Sequence, residues 1–246
     1  MKKLILSAMA SLLLFACQSD NSEVAVGEGK IAITVTTSAD VATRAEGFTL
    51  QTPALSDFQL LITGENFSKS WASVTDYRTD DERYTAGDYT VAVNAGDATV
   101  EGYGKSAFAA SEQVTVLDRN RTTEVKLTAR LANAIVEVRT TEMFDNYFPQ
   151  SEFSVTTAAN TFEWNKSTEQ HLFVAAEQGV KIDCNCVRQT GKQETLPTQN
   201  IADIKAATRY ILTYDLKNAG GVSITVKLNQ TIIDTIEIEN ELNPNA

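Results

Sequence analysis

The amino-acid sequence predicts an all-β protein: two packed β-sandwich domains, of the transthyretin- or immunoglobulin-like kind, behind a lipoprotein signal peptide. Three observations predict it. Apolar and polar residues alternate with a period of two in many short segments. Clusters of Gly, Asn and Asp separate these segments, as turns require. A basic and then apolar N-terminal stretch ends at a lone cysteine. Many short strands with little helix are typical of β-sandwiches.

The N-terminal stretch has the order of a signal peptide. Lys2 and Lys3 form a positive start, and residues 4–16 form an apolar run of 13 residues. A helix that crosses a bilayer needs about 20 apolar residues, so this run is too short to be a permanent span. We therefore expect residues 1–16 to be a signal peptide.

The end of this stretch, Leu14-Phe15-Ala16-Cys17, resembles the lipobox of bacterial lipoproteins. The resemblance implies that the sulfur of Cys17 carries a diacylglycerol and that the chain is cut just before it. Two or three acyl chains hold a protein firmly, since each buried methylene contributes about 0.8 kcal/mol. The alternative is an ordinary secretory signal in which Cys17 is incidental.

Small, polar and acidic residues follow Cys17, so we expect 17–29 to be an acylated cysteine and a flexible tether. Residues 18–23 resemble the short acidic signal that directs Bacteroidetes lipoproteins to the outer face of the outer membrane. A solvated tether would have the same composition. The predicted location is the outer membrane, lipid-anchored, with exposure at the cell surface favoured.

The charge balance excludes one class of partner. The net charge is −11, and loss of Lys2 and Lys3 with the signal peptide leaves 19 basic against 32 acidic side chains, or −13. So acidic a chain repels nucleic acid and anionic surfaces. No nucleic-acid partner is expected.

The first strand is predicted at residues 30–37, where Ile31, Ile33 and Val35 share one face. Further alternating segments predict strands at 58–64, 89–96, 113–129, 133–141, 153–164, 180–187, 209–216 and 221–239. Within 113–129, Val114 and Val116 are expected to face Val125 and Leu127 across a turn at Asp118. Short helical turns are expected only at 68–74 and 201–207. Two sandwich domains, 30–131 and 132–246, are expected to meet near Leu131 without a flexible linker.

Apart from Cys17, the cysteines are Cys184 and Cys186, two positions apart in a predicted strand. Their Cα atoms would lie about 6.6 Å apart, at the upper edge of disulfide geometry, so a bond between them would be strained. Two thiols and the single histidine, His171, do not make a zinc site. We expect two ordinary thiols on one strand face, and neither a metal nor a cofactor.

Several segments carry a resemblance to a known family. They are VATRA (41–45), AGDYTVAV (86–93), EGYGKSAFAASEQVTV (101–116), TEVKLTARLANAIVEV (123–138), FDNYFPQSEFSVTT (144–157) and RYILTYDL (209–216). Their order resembles a Bacteroidetes lipoprotein family of unknown function, similar in layout to the fimbrillin-like surface proteins. Gly102-Tyr103-Gly104 replaces a Pro-Tyr-x-Gly turn common in that family. The resemblance implies a surface β-sandwich lipoprotein and no particular chemistry.

The same resemblance makes Arg44 a candidate processing site. In fimbrillin-like pilins a protease cuts after an arginine that follows the first strand, and a strand of a neighbouring subunit fills the groove. Residues 31–37 would be the strand removed. The alternating run with Ile232, Ile236 and Ile238 could be the donor. The alternative is an uncut strand and an arginine in an exposed loop.

No catalytic constellation is present in the sequence. His171 has no nucleophile elbow to serve, and the adjacent acids Asp80, Asp81 and Glu82 are typical of a solvated loop tip. Trp71, in a polar stretch, is the best candidate for a ligand-contact aromatic, and the alternative is that it packs structurally, as most aromatics in sandwiches do. We therefore expect a non-enzymatic surface protein with a structural, adhesive or fimbrial role, in contact with other surface proteins or glycans. The alternative is a carbohydrate-binding accessory lipoprotein of a glycan-uptake system.

Overall fold

The computed structural model describes residues 27–38, 50–117, 120–164 and 170–216, and the backbone of 222–228 and 237–241. Over these residues the chain is an all-β sandwich fold, which confirms the predicted class. Among the described helices, none is long and apolar enough to span a membrane.

Strands in the N-terminal half follow the predicted alternation closely. They are β1 (Glu28–Thr37), β2 (Gln59–Gly64), β3 (Phe67–Trp71), β4 (Tyr84–Thr85), β5 (Gly87–Ala95), β6 (Gly102–Tyr103), β7 (Phe108–Val116) and β8 (Thr122–Leu131). Single 3-10 turns lie at Leu55–Asp57 and Val74–Asp76.

The C-terminal half continues the pattern. Its strands are β9 (Ala134–Thr140), β10 (Gln150–Thr156), β11 (Thr161–Trp164), β12 (Leu172–Val174), β13 (Val180–Val187), β14 (Gln193–Ile201), β15 (Arg209–Leu216), β16 (Val222–Leu228) and β17 (Glu237–Glu241).

The short helical turns were predicted at the wrong positions. Residues 68–71 belong to β3, and the helix in the described C-terminal half is α1 (Glu142–Tyr147). Thr141 caps α1 by accepting a hydrogen bond from the Phe144 N–H at 3.3 Å. Phe144 is fully buried, so tertiary packing adds to this local capping.

The N-terminal sheet has the strand order β3-β2-β5-β7-β8-β1-β4 and folds over on itself. β7 and β8 pair at Phe108–Leu131 and Ala109–Arg130, far from their connecting turn. The predicted hairpin of β7 and β8 is therefore open next to its turn. There β8 pairs with β1 instead. Buried side chains from both arms share one core: Leu60, Ile62, Val91, Val93, Val125, Leu127 and Ala129.

Two further sheets pack face to face in the C-terminal half. Their orders are β11-β10-β13-β14 and β17-β16-β15-β9-β12-β6. The inward residues alternate along each strand and form a second core, which includes Val136, Val138, Leu212, Tyr214, Phe153, Val155, Ile182 and Cys184.

The two halves are joined around Asn133, which is fully buried between β8 and β9. Its side-chain amide donates to the Lys105 carbonyl at 2.7 Å and accepts from the Ala107 N–H at 3.3 Å. β6, from the first predicted domain, pairs with β12 in the sheet of the second. Ile135 and Phe173 contribute to the N-terminal core. The division into 30–131 and 132–246 stays a prediction.

Glu101 makes a second contact across the halves. Its carboxylate accepts hydrogen bonds from the Thr157 hydroxyl at 2.6 Å, the Asn160 amide at 2.9 Å, the Ala175 N–H at 3.1 Å and the Gln178 amide at 2.6 Å. Charge-assisted hydrogen bonds of this kind are stronger than neutral ones. One carboxylate thus binds two separate segments of the C-terminal half, residues 157–160 and 175–178.

Candidate functional site

The first strand, β1, is held very differently along its two edges. On one edge it pairs in parallel with β8, residues 30–37 against 122–129. On the other edge, among the residues that the structure describes, β4 pairs with Glu28 and Gly29 only. β1 is therefore anchored along its whole length on the β8 side and at its start on the other side.

Backbone hydrogen bonds define these edges. The Lys30 N–H donates to the Arg121 carbonyl at 2.7 Å, and the Ser38 N–H donates to the Ala129 carbonyl at 2.9 Å. Backbone groups of successive strand residues point to opposite edges. The backbone N–H and C=O groups of even-numbered residues in β1 therefore point toward β8. The carbonyls of Ile31, Ile33 and Val35 point toward the other edge.

Packing is tightest at the start of β1. Ile31 is fully buried, whereas Ile33 and Val35 are half-buried. A Cβ on Gly29 would lie 2.6 Å from the Leu117 carbonyl oxygen and 2.6 Å from a methyl of Val116. Only glycine allows this approach of β1 to the end of β7.

The connection between β3 and β4, residues 72–83, crosses the open edge of β1. It is anchored by a 2.7 Å bond from the Val74 N–H to the Phe58 carbonyl. The Tyr77 hydroxyl donates to the Ile31 carbonyl at 2.6 Å, in a buried position. One residue earlier, the Lys30 ammonium lies 2.7 Å from the Asp80 carboxylate. This segment thus takes the place of a neighbouring strand.

Two buried tyrosines, Tyr84 and Tyr77, form a chain of hydrogen bonds that ends at β1. The Tyr84 hydroxyl donates to the Tyr77 hydroxyl at 3.4 Å, and Tyr77 donates onward to Ile31. Burial raises the pKa of Tyr77, and burial together with the Tyr77 contact raises the pKa of Tyr84. Both hydroxyls therefore stay protonated, and Tyr77 stays a donor, at any physiological pH.

Trp71, the predicted ligand-contact aromatic, packs against this same segment. Its ring meets Tyr77 edge-on, with ring centroids 5.1 Å apart and planes at 87°. The Lys69 ammonium lies 5.0 Å from the Trp71 ring centroid. Trp71 is only half-exposed, so its visible role is to support Tyr77.

The three adjacent acids point to different partners. Asp80 pairs with Lys30, and Glu82 pairs with Lys69 at 2.6 Å. The hydrogen bond and charge of Lys30 hold the pKa of Asp80 below its usual range. Within the described ranges, no group of three or more His, Cys, Asp or Glu side chains is placed to hold a metal ion.

Two predicted sites, Cys17 and Arg44, lie outside the described residues. Lipidation at Cys17 and cleavage at Arg44 therefore remain predictions. β1 ends at Thr37, so Arg44 follows that strand in the chain by seven residues.

His171 lies among charged neighbours. Burial lowers its pKa, the charges of Arg209 and Arg139 lower it further, and Glu137 acts in the opposite direction. The Arg209 guanidinium donates to the Glu137 carboxylate at 2.9 Å, and Arg209 is almost fully buried. A buried ion pair, rather than a nucleophile, dominates the surroundings of this histidine.

Cys184 and Cys186 are buried thiols on the core face of β13, as the alternation predicted. A hydrogen bond from Cys184 lowers the pKa of Cys186. The Cys186 thiol also contacts the Glu194 carbonyl at 3.5 Å. Both side chains contribute to the C-terminal core.

The sequence did not identify Tyr77 or Glu101 as important residues. Tyr77 lies in a polar stretch and contacts a residue 46 positions earlier, and Glu101 contacts residues 56 to 77 positions later. No local pattern marks such contacts. A tyrosine in an otherwise polar stretch was the signal that the sequence offered for Tyr77.

Several solved structures resemble the chain, and the first of them, with a TM-score above 0.5, supports the fold. A fimbrial assembly protein from Parabacteroides distasonis matches with a TM-score of 0.52 at 9% identity, over 87% of this chain and 98% of that one. A protein provisionally described as a cell adhesion protein, from Bacteroides eggerthii, gives 0.44 at 8% identity, over 83% and 95%. A provisionally described adhesin from Bacteroides ovatus gives 0.40 at 11%, over 93% and 99%. At these identities the likeness concerns the fold alone.

No curated protein matches the chain. A family model does, however, match residues 27–244, nearly all of the sequence after the predicted signal peptide and tether. This match and the fold confirm the predicted resemblance to a fimbrillin-like family of unknown function. The chain belongs to the DUF4493 family, a domain of unknown function.

Proposed function

We propose that this protein is a lipid-anchored outer-membrane protein, exposed at the cell surface, with a structural, adhesive or fimbrial role and no catalytic activity. The observation that carries the proposal is β1, a first strand paired in parallel with β8 on one edge and preceding Arg44 in the chain. The fold likeness to a fimbrial assembly protein supports the same role.

Removal of β1 would create a binding groove. The carbonyls of Arg121, just before β8, and of Ala129, in β8, now accept hydrogen bonds from Lys30 and Ser38 and would lose these donors. The core residues Val125 and Leu127 would lose the cover of Ile31. An unpaired strand edge above an apolar groove is a template for strand addition. A cut at Arg44 would allow β1 to leave.

The C-terminal run is our candidate for the strand that fills this groove in the next subunit. β17 lies at the edge of the six-stranded sheet, paired with β16, and contains Ile238. Ile232 and Ile236 fall outside the described residues. An edge strand is hydrogen-bonded to one neighbouring strand, so its detachment requires less free energy than that of a central strand.

The proposal is tested by comparing two soluble proteins, one starting at Ser19 and one at Ala45, by size-exclusion chromatography with light scattering. We expect only the shorter protein to form long or SDS-resistant oligomers. A synthetic peptide of residues 28–37 should refill the groove and suppress assembly, whereas a scrambled peptide should not. Two stable monomers would overturn the fimbrial role.

Anchoring is tested separately. Cys17→Ser removes the acceptor of the diacylglycerol, so the full chain should no longer partition into detergent or incorporate labelled fatty acid. Cys186→Ser, a change at a buried strand thiol, should leave both unchanged. Equal partitioning of the Cys17→Ser variant would contradict the lipid anchor.

The carbohydrate-binding alternative finds no support at Trp71, which packs on Tyr77. A surface depression of about 690 Å³ does lie over β2, β5 and β7, lined by polar residues such as Thr63, Asp88 and Gln113. Its aromatic residue, Tyr89, is buried, with its hydroxyl bonded to the Thr85 carbonyl at 3.0 Å. A stacking platform for a sugar ring is therefore missing from this depression.

A further inference from the structure

We propose that Tyr77 is the positioning residue of the β1 site: through it, residues 72–83 act as a latch that closes the open edge of whichever strand pairs with β8. For β1 itself the latch is independent of any assembly. Its action on an incoming strand rests on the function proposed above.

The geometry places the latch just beyond the end of the β4 pairing. That pairing ends at Gly29, and the Ile31 carbonyl is the next carbonyl that faces the open edge. Tyr77 meets that carbonyl at 2.6 Å and is only 8% exposed. Water is largely excluded from the contact, so loss of the hydroxyl would leave a buried carbonyl without this donor.

Residues of the same 72–83 segment hold Tyr77 in position. The Arg78 guanidinium donates to the Tyr77 carbonyl at 3.0 Å and also to the Thr75 carbonyl. The Ser73 hydroxyl accepts the Thr75 N–H at 3.1 Å and so caps the 3-10 turn at Val74–Asp76. Together with the edge-on Trp71 ring, these contacts fix the direction of the hydroxyl.

This arrangement divides recognition between main chain and side chain. Tyr77 binds a backbone carbonyl, which any residue supplies, so this contact holds the strand without selecting its sequence. The fully buried position of Ile31 selects an apolar side chain at the same register. The Lys30–Asp80 pair adds little, because the Asp80 side chain is 88% exposed and its charge is screened by water.

The occupant that fits is therefore an extended strand, parallel to β8, with an apolar residue at the position of Ile31 and its carbonyl toward Tyr77. In the intact chain that strand is β1. In an assembly it would be a strand of a second copy. The same hydroxyl would then hold both the first strand and its replacement.

The test is residue-specific amide hydrogen exchange by NMR on the mature chain from Ser19, comparing Tyr77→Phe with Tyr89→Phe. Both changes delete one hydroxyl from a buried tyrosine, but the Tyr89 hydroxyl bonds to Thr85 and not to β1. The reporters are the amides of Ala32, Thr34 and Thr36, which face β8. Tyr77→Phe should speed their exchange by about tenfold, the effect of one lost buried hydrogen bond.

The amides of Val91 and Val93 in β5 serve as the reference for global unfolding. Their exchange rates should change by no more than twofold in either variant. The latch is refuted if the β1 amides keep their exchange rates in Tyr77→Phe, if β5 accelerates equally, or if Tyr89→Phe has the same effect. Should Tyr77→Phe fail to fold, Tyr84→Phe, which removes the donor behind Tyr77, must speed the β1 amides by a smaller factor. None of these readouts requires polymerisation, so a chain that never assembles would refute the proposed function and leave the latch standing.

Discussion

The side-chain amide of Gln178 donates a 2.6 Å hydrogen bond to the carboxylate of Glu101, across 77 residues of sequence. Gln178 is itself held by the Ala175 carbonyl at 2.9 Å and by the Ala158 N–H at 3.1 Å. A charged side chain from the N-terminal half is thus bound by polar groups of the C-terminal half. The contact ties the two halves more firmly than apolar packing alone.

Glu101→Gln should destabilise the protein by about 1–3 kcal/mol, since the neutral amide accepts weaker hydrogen bonds and brings a donor against other donors. Urea denaturation at neutral pH measures the loss. Glu112→Gln, a change at an exposed position of β7, is the matched control and should shift the midpoint little. Equal midpoints for the two variants would contradict a binding role for Glu101.

The same contact makes stability depend on pH. Burial raises the pKa of Glu101, but hydrogen bonds from Thr157, Asn160, Ala175 and Gln178 outweigh it and hold the pKa below the ordinary value of 4.5. The folded-state pKa is then lower than the unfolded one, so the stabilisation is present above pH 4.5 and lost as the pH falls through the folded pKa. Urea midpoints of the native protein and Glu101→Gln should differ most at pH 7 and converge toward pH 3. A gap that widens in acid would reverse the assigned sign.

Glu137 and Arg209 form a buried ion pair, so we expect the effects of substituting the two residues on stability to be coupled. Glu137→Gln leaves the almost fully buried Arg209 without its counter-charge and should cost about 3 kcal/mol. Adding Arg209→Met removes that charge and should recover part of the loss. Arg139→Ala, at a side chain 43% exposed, is the milder control. Thermal or urea unfolding of the native protein, Glu137→Gln, Arg209→Met and the double variant forms a double-mutant cycle, and additive losses would exclude coupling.

Ile31 is the residue by which β1 fills the N-terminal core. Ile31→Ala should lower the free energy of unfolding by about 3 kcal/mol, because it removes a fully buried side chain and leaves a cavity. Val35→Ala, at a half-buried position of the same strand, should cost less than half as much. Chemical denaturation distinguishes the two. Similar losses would mean that the far end of β1 is seated as firmly as its start.

Strand positions were largely predictable, because a sheet that buries one face imposes a period of two on the sequence. β1, β5 and β13 lie within a few residues of the predicted segments. The splayed β7–β8 pair was not predictable, since β8 pairs with a strand about 90 residues earlier in the chain. The helix α1 was also missed, because its six residues are too few to show a helical period.

By itself, the sequence determined the all-β class, the family resemblance, the predicted lipid anchor and the placement of two thiols on one strand face. These properties follow from local patterns: alternation, turn residues, a signal peptide and a motif around one cysteine. Only the tertiary structure decided which strands are neighbours, that Trp71 supports Tyr77, and that Tyr77 and Glu101 bind distant segments. The reason is physical: a backbone carbonyl or carboxylate accepts a donor from anywhere in the chain, so such contacts leave no periodic trace in the sequence.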